Sequence, residues 1–277
     1  MIALVLAAAL HQANEAPVTG VWDISYAKHV AGGKHQLDVF RPAGGSDRVV
    51  LVFVHGGGLE EGDRTEYRWL GRALAAQNYV VVIPSYRLYP AAKAPDAVAD
   101  VAAAVAWTVR NIAAYGGSPN RIVLVGHSAG GYLTAILAFD PRYLRAAGLS
   151  LRDIRGVFEL SADYSNRDPD PGESAADIAV DHHIYGETAE ERDANSVYRY
   201  LHRTVAFEAT CESIDPGTQC IDRDHFVALM RGHHSPIRSF TEANATHDQL
   251  VQRVAQPGDP LNVQLRRFVQ WVLGGAG

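Results

Sequence analysis

Short apolar runs alternate with segments of helical periodicity along most of this chain. Residues 49–54 and 79–83 are almost entirely apolar, and residues 64–77 between them have the spacing of a helix. Apolar runs without alternation are typical of strands covered on both faces, and strands separated by helices predict a mostly parallel sheet. Upstream, residues 21–27 and 35–40 alternate polar and apolar positions around a pair of glycines. This pattern predicts an antiparallel hairpin at one edge of the sheet.

The alternation of strands and helices continues towards the end of the chain. It predicts further strands over residues 121–125, 154–160, 204–210 and 238–241, and further helices over residues 94–114, 132–139 and 261–272. Residues 165–185 break the rhythm because they are rich in Asp, Pro and Gly and contain no clear strand. We interpret them as a small cap or lid over the carboxyl ends of the strands, where loops of open α/β sheets carry function. The predicted fold class is α/β, with a mostly parallel central sheet, an antiparallel N-terminal edge and helices on both faces, in a single domain over residues 17–277.

Two glycine-rich motifs follow predicted strands and indicate nucleophilic chemistry. Residues 126–130 read Gly-His-Ser-Ala-Gly and lie between a predicted strand and a predicted helix, which is typical of a nucleophile elbow, a tight turn that exposes a serine hydroxyl. Residues 55–58 read His-Gly-Gly-Gly and end the strand 49–54. Such a loop donates backbone N–H groups to a developing oxyanion. Ser128 is therefore the predicted nucleophile, and the N–H groups of Gly57, Gly58 and Ala129 are the predicted oxyanion hole.

Composition and charge argue against several other functions. The chain has 277 residues, a net charge of −6 and no cluster of basic residues, so nucleic-acid binding is not expected. No apolar run is long enough to span a bilayer, and nothing indicates a metal site or a dinucleotide-binding fingerprint. The adjacent His182 and His183 are interpreted as solvated residues of the cap. We expect no cofactor and no metal, and a small molecule as partner; the oligomeric state stays open.

The chain resembles the α/β-hydrolase esterases, specifically bacterial carboxylesterases with an HGGG loop, which are related to the hormone-sensitive-lipase-like and arylformamidase-like groups. The resemblance is dense over residues 21–164, thins afterwards, and returns at His247 and residues 257–260. It departs from the family after the glycines, where Leu59 replaces a frequent large aromatic residue and Glu60-Glu61 follow. The matching segments are residues 55–58, 62–63, 86–90, 115–122 and 126–131.

The predicted catalytic triad needs a base and an acid downstream of Ser128, because this fold orders them as serine, acid and histidine. His247 lies between the last predicted strand and the C-terminal helix, and is the predicted base. The acid follows the strand 204–210, where both Asp215 and Glu212 stand. The resemblance favours Asp215, because the acid of similar esterases often precedes a proline and lies about eleven residues before an aromatic residue, here Phe226. Glu212 stays open as the alternative acid, and residues 215–217 alone are also typical of a simple turn.

The resemblance implies a serine carboxylesterase that hydrolyses small, short-acyl esters through an acyl-enzyme. An amide hydrolase of the arylformamidase-like kind, using the same triad, is the alternative. A non-catalytic binding module of the same fold is a further one, although none of the catalytic residues is missing.

The first residues and the two cysteines bear on localisation. Residues 2–10 are apolar and resemble the core of a secretory signal, but no positive residues precede them and no clean cleavage site follows. We therefore treat residues 1–16 as a signal-like leader, with a periplasmic or secreted protein as the expectation and a cytoplasmic one as the alternative. Cys211 and Cys220 are close enough in sequence to pair, and a disulfide would suit an exported protein.

Overall fold

The central sheet positions the candidate site residues that the structure describes. The computed structural model describes residues 17–27, 33–165, 174–202, 204–214 and 219–274. Within these ranges, eight strands form one sheet in the order β1-β2-β4-β3-β5-β6-β7-β8. The strands are β1 (Val18–Ser25), β2 (Gln36–Pro42), β3 (Arg48–Val54), β4 (Val80–Pro84), β5 (Gly117–His127), β6 (Gly156–Leu160), β7 (Ala206–Glu212) and β8 (Ile237–Glu242).

Strand directions confirm the predicted mixed sheet. β1 pairs with β2, and β2 pairs with β4, in antiparallel fashion. All the other pairs, from β4-β3 across to β7-β8, are parallel. The antiparallel edge is thus made by the N-terminal hairpin, and the six parallel strands all end at one edge of the sheet.

Both faces of the sheet are buried, which explains the apolar runs in the sequence. Along β3, Val50, Val52 and Val54 belong to the core on one face, whereas Leu51 and Phe53 belong to the core on the other. Successive side chains of a strand point to opposite faces, so β3, with a core on each side, is apolar at every position from Val50 to Val54.

Helices cover the two faces of the sheet. The first core contains residues of α2, α3 and α7, and the second contains residues of α1, α8 and α9. The helices are α1 (Arg68–Ala76), α2 (Ala94–Asn111), α3 (Ala129–Phe139), α4 (Pro141–Ala146), α5 (Ala175–Tyr185), α6 (Ala189–Ala194), α7 (Gln219–Gly232), α8 (Gln249–Ala255) and α9 (Pro260–Val272).

The α2 helix has the length and apolar composition of a membrane span when its final turn is included. Residues Ala94–Tyr115 have a mean hydropathy of 1.3, and 56% of that window is buried inside the domain. Val98, Val101 and Val105 pack in the first core, so the apolar character of this helix is explained by its place against the sheet.

The segment interpreted as a cap contains helical structure that its sequence pattern did not predict. Residues 166–173 lie outside the described residues, and α5 occupies the rest of the segment. Only Ile184 of α5 is buried, so its apolar residues do not form the stripe by which a helix is recognised. A local signal was present, because the Ser174 hydroxyl caps the helix by accepting a hydrogen bond from the Asp177 N–H at 3.2 Å.

Candidate active site

Ser128 lies at a strained turn between β5 and α3. Its backbone has φ 54° and ψ −126°, which a residue other than glycine adopts only when the surrounding structure enforces it. The chain is crowded here, since a Cβ atom on Gly126 would lie 2.4 Å from the Gly130 carbonyl oxygen, and one on Gly130 would lie 2.1 Å from the Val54 carbonyl oxygen. The two glycines of the motif are therefore required by close packing of backbone against backbone.

The glycine loop after β3 lies beside Ser128. Gly57 has φ 109°, and its carbonyl oxygen accepts hydrogen bonds from the N–H groups of Glu60 and Glu61 at 2.9 and 3.0 Å. Because of this tight turn, Gly57 and Gly58 line the same cavity as Ser128. The cavity has a volume of about 550 Å³. The loop is thus placed to present backbone groups to a substrate held at the serine.

Ala129 is the first residue of α3, so its N–H belongs to the first turn, where N–H groups have no acceptor inside the helix. The N–H of the preceding residue, Ser128, donates a hydrogen bond to the Leu160 carbonyl oxygen at 2.9 Å. The positive end of the helix dipole lies at this point and favours an anion.

His247 lines the same cavity, on the loop between β8 and α8. Its Nδ1 atom lies 3.1 Å from Oε1 of Glu212, whose side chain is 1% exposed. Glu212 is the last residue of β7. The structure therefore brings together Ser128, His247 and Glu212, the residue that the sequence offered as the alternative acid. Asp215, which the resemblance favoured, lies outside the described residues.

The position of Glu212 follows from the true end of its strand. The sequence placed that end at Thr210, but the strand continues through Glu212, which pairs with Glu242 of β8. The alternation of polar and apolar residues extends to residue 212 in the sequence, but it does not mark the point where pairing with β8 ends.

A second serine contacts the same imidazole. Ser161 follows β6, and its Oγ atom lies 3.2 Å from Nδ1 of His247. Burial raises the pKa of Glu212, but hydrogen bonds from His247 and Ser161 outweigh it and hold the pKa below its ordinary value. No motif marks Ser161 in the sequence; only its position directly after a strand was informative.

Two further histidines, His55 and His127, lie at the site in the neutral form. Nε2 of His127 lies 3.2 Å from the His247 carbonyl oxygen, and the two rings are 4.7 Å apart. Burial and the neighbouring His247 lower the pKa of His127 to about 3. Since a carbonyl oxygen only accepts, His127 donates this bond from a neutral ring. His55 stacks on Tyr86 at 4.4 Å, and burial lowers its pKa to about 4.

Cys211 and Cys220 form a disulfide, with their Cα atoms 5.5 Å apart. It joins the end of β7 to the first turn of α7. Because Cys211 adjoins Glu212, the bond restrains the strand end that carries the carboxylate.

In the part of the chain that the structure describes, no group of three or more His, Cys, Asp or Glu side chains could hold a metal ion. His183, one of the adjacent histidines of the cap, has its Nδ1 atom 2.6 Å from Oε1 of Glu187.

Comparisons with known proteins agree with this geometry. The BD-FAE family model matches residues 37–146, a segment that contains both the glycine loop and the elbow. The chain is 33% identical over 143 residues to a probable isoprenylcysteine alpha-carbonyl methylesterase of Arabidopsis thaliana, covering 49% of this chain and 34% of that protein. It is 41% identical over 99 residues to Esterase LipC of Mycobacterium tuberculosis, covering 34% of this chain and 24% of that protein. The chain thus spans about a third or less of the length of these relatives.

The fold is shared over nearly the whole chain with a solved esterase. Esterase B from Lactobacillus Rhamnosis superposes with a TM-score of 0.80 at 19% sequence identity, covering 98% of this chain and 93% of that one. The chain therefore has the α/β-hydrolase fold of this esterase, as the sequence predicted, and over part of its length it resembles esterases in sequence.

Proposed function

We propose that this protein is a serine carboxylesterase that hydrolyses small esters through an acyl-enzyme on Ser128. The observation that carries the proposal is the convergence, in one cavity, of a serine at a strained elbow, a glycine loop and a histidine whose Nδ1 atom is 3.1 Å from a buried carboxylate. Named relatives that are esterases add independent support for ester hydrolysis.

The contact between His247 and Glu212 fixes the state of the base. A carboxylate only accepts hydrogen bonds, so Nδ1 of His247 carries the proton and Nε2 presents a lone pair. Nε2 is then free to take the proton of Ser128 as its Oγ atom attacks the ester carbonyl carbon. Glu212 stabilises the resulting imidazolium and does not itself take the proton.

The rest of the cycle follows from the same groups. The tetrahedral oxyanion is held by the N–H groups of Gly57, Gly58 and Ala129, and losing one such donor costs about 3 kcal/mol. Collapse of this intermediate breaks the ester C–O bond, and His247 gives its proton to the leaving alcohol. A water molecule then attacks the acyl-enzyme while His247 accepts its proton, and breakdown of the second intermediate returns that proton to Ser128 and releases the acid.

We propose a preference for short acyl chains and small alcohols. Acidic side chains occur both around the cavity, at Glu60, Glu61 and Asp248, and on the cap, at Asp177. They offer a long alkyl tail little apolar wall, and each methylene left unburied forgoes about 0.8 kcal/mol. A relative whose printed name is a methylesterase acts on an ester of the smallest alcohol and supports only the small alcohol, because the isoprenylcysteine in the same name is a large acyl part.

The test is a panel of p-nitrophenyl esters from acetyl to palmitoyl, with wild-type protein and Ser128→Ala. We expect the highest kcat/KM with acetyl to butyryl esters, and about a millionfold loss of turnover in Ser128→Ala with an unchanged unfolding temperature. Substantial turnover by Ser128→Ala would exclude the serine mechanism, and a higher kcat/KM for palmitoyl than for butyryl esters would exclude the short-acyl preference. An N-formyl aryl amide in the same panel tests amide hydrolysis by the same triad.

We also propose that the protein works outside the reducing cytoplasm. The Cys211–Cys220 disulfide supports this, because disulfides persist in oxidising compartments and are rare elsewhere. Fractionation of cells that produce the full chain tests it; recovery of the protein in the cytoplasm with both thiols reduced would contradict it.

A further inference from the structure

Ser161 places a second oxygen, beside that of Glu212, within hydrogen-bond distance of Nδ1 of His247. Its hydroxyl oxygen lies 3.2 Å from Nδ1, and Glu212 Oε1 lies 3.1 Å from the same atom. Both oxygens can accept a hydrogen bond, so the Nδ1 proton lies between the Glu212 carboxylate and the Ser161 hydroxyl oxygen. The Ser161 hydroxyl also contributes to holding the pKa of Glu212 below its ordinary value.

The backbone holds Ser161 in this place. Ser161 has φ 54°, in the left-handed region that residues other than glycine rarely occupy, and it is 1% exposed. Its N–H donates to the Thr210 carbonyl oxygen of β7 at 3.1 Å. A conformation of this kind is strained and is typical of functional positions. Here it holds the hydroxyl beside Nδ1 of His247.

The sheet order explains why β6 supplies this residue. β6 lies between β5, which leads to Ser128, and β7, which ends at Glu212. The residue after β6 is therefore next to the acid at the carboxyl edge. A glutamate has one more rotatable bond than an aspartate, and ordering it costs more side-chain entropy, so a neighbouring hydroxyl that fixes its carboxylate has a physical role.

We propose that Ser161 is a positioning residue of this site, which holds the Glu212 carboxylate and the Nδ1 proton of His247 so that Nε2 faces Ser128. It does not touch the substrate. The inference rests on the proposed ester hydrolysis, and it predicts a loss in kcat with little change in KM.

Two variants remove the hydroxyl in different ways. Ser161→Ala keeps a Cβ atom, whereas Ser161→Gly also relieves the positive φ, so damage from backbone strain would affect the two differently. The matched control is Ser235→Ala, a buried serine that hydrogen-bonds to Thr204 and His202 at the start of β8, away from the carboxyl edge. We expect both Ser161 variants to lose about tenfold in kcat on p-nitrophenyl butyrate, the worth of one charge-assisted hydrogen bond, with KM within about twofold. Ser235→Ala keeps the wild-type kcat.

A double-mutant cycle with Glu212→Gln separates positioning from a merely structural role. A glutamine at 212 presents an N–H donor that favours the wrong tautomer of His247, so there is nothing left for Ser161 to position. The tenfold loss should shrink to less than about twofold in the Glu212→Gln background. An equal loss in both backgrounds, or wild-type kcat in Ser161→Ala and Ser161→Gly, overturns the inference. If wild-type protein hydrolyses no ester, the proposed function itself has failed, and the two failures are thereby distinguished.

Discussion

Replacing Glu212 by glutamine tests the acid of the site most directly. The substitution keeps the size of the side chain and removes its charge, at a position 1% exposed and 3.1 Å from Nδ1 of His247. The carboxylate matters most in the transition state, when His247 carries a positive charge. Two unit charges at this separation interact by about 5 kcal/mol at an effective dielectric constant of about 20.

That energy corresponds to about four orders of magnitude in rate. A loss of the same size follows from the wrong histidine tautomer when the orienting acid of a serine triad becomes an amide, so the two lines of reasoning agree. We expect Glu212→Gln to lower kcat on p-nitrophenyl butyrate by about 10⁴-fold, with KM nearly unchanged. Steady-state kinetics with active-site titration of the wild type gives the comparison.

Two controls sharpen the result. Asp215→Asn removes a carboxylate three residues after Glu212 in the sequence. Glu208→Gln makes the same chemical change on β7 itself, where Glu208 contacts Gln264. Both should keep kcat within a few-fold of wild type. A near-normal Glu212→Gln together with an Asp215→Asn lowered by three or more orders of magnitude would refute the reasoning and make Asp215 the acid.

Three further predictions follow from other parts of the molecule. Burial raises the pKa of Glu208 to about 7, opposed by the hydrogen bond from Gln264 and the charge of Arg238; the folded state therefore favours the protonated carboxyl, and stability is lost as pH rises from about 4.5 through about 7. Glu208→Gln should accordingly raise the unfolding temperature at pH 8 more than at pH 5, and an equal change at both pH values would contradict this. Replacing both Cys211 and Cys220 by serine should cost about 2–3 kcal/mol of unfolding free energy and also lower kcat, because Cys211 adjoins Glu212. The wild-type protein in dithiothreitol should show the same two losses. A double variant with wild-type stability and kcat would show that the disulfide restrains neither the fold nor the position of Glu212. Dialysis against EDTA should leave turnover unchanged, since the serine and histidine supply nucleophile and base; a loss that zinc restores would require a different mechanism.

The sequence predicted the central sheet well because a strand that is buried on both faces has apolar residues at successive positions. In β3 and β5, side chains on one face lie in the first core and side chains on the other face lie in the second, so residues 50–54 and 122–125 are all apolar. The elbow was equally visible, because backbone contacts as close as those at Gly126 and Gly130 admit no side chain. Both signals are local, and each restricts residue type directly.

The choice between Glu212 and Asp215 was not local. The end of β7 is set by its pairing with β8, where Cys211 lies opposite Thr241 and Glu212 opposite Glu242. That partner is some thirty residues further along the chain, and its register cannot be obtained from the strand alone. The preference for Asp215 came from the proline and the aromatic residue of similar esterases. The place of Glu212 depends on the end of β7, which is defined only in the folded sheet.

The same limit applies to Ser161, and it shows how the site is built. Four neighbouring strands, in the order β5-β6-β7-β8, each bring one residue to the carboxyl edge: Ser128, Ser161, Glu212 and His247. Adjacent strands are about 4.8 Å apart, so a hydroxyl that follows the strand between those of Ser128 and Glu212 comes within hydrogen-bond distance of His247 without any sequence motif. His247, carried past β8, must fold back over this edge, and its carbonyl oxygen is held by His127 beside the nucleophile at 3.2 Å. The imidazole is thus fixed from two sides, through its Nδ1 proton by Glu212 and Ser161 and through its backbone by His127. Since these contacts come from three different strands, a change in the register of any one of them would move the base relative to Ser128.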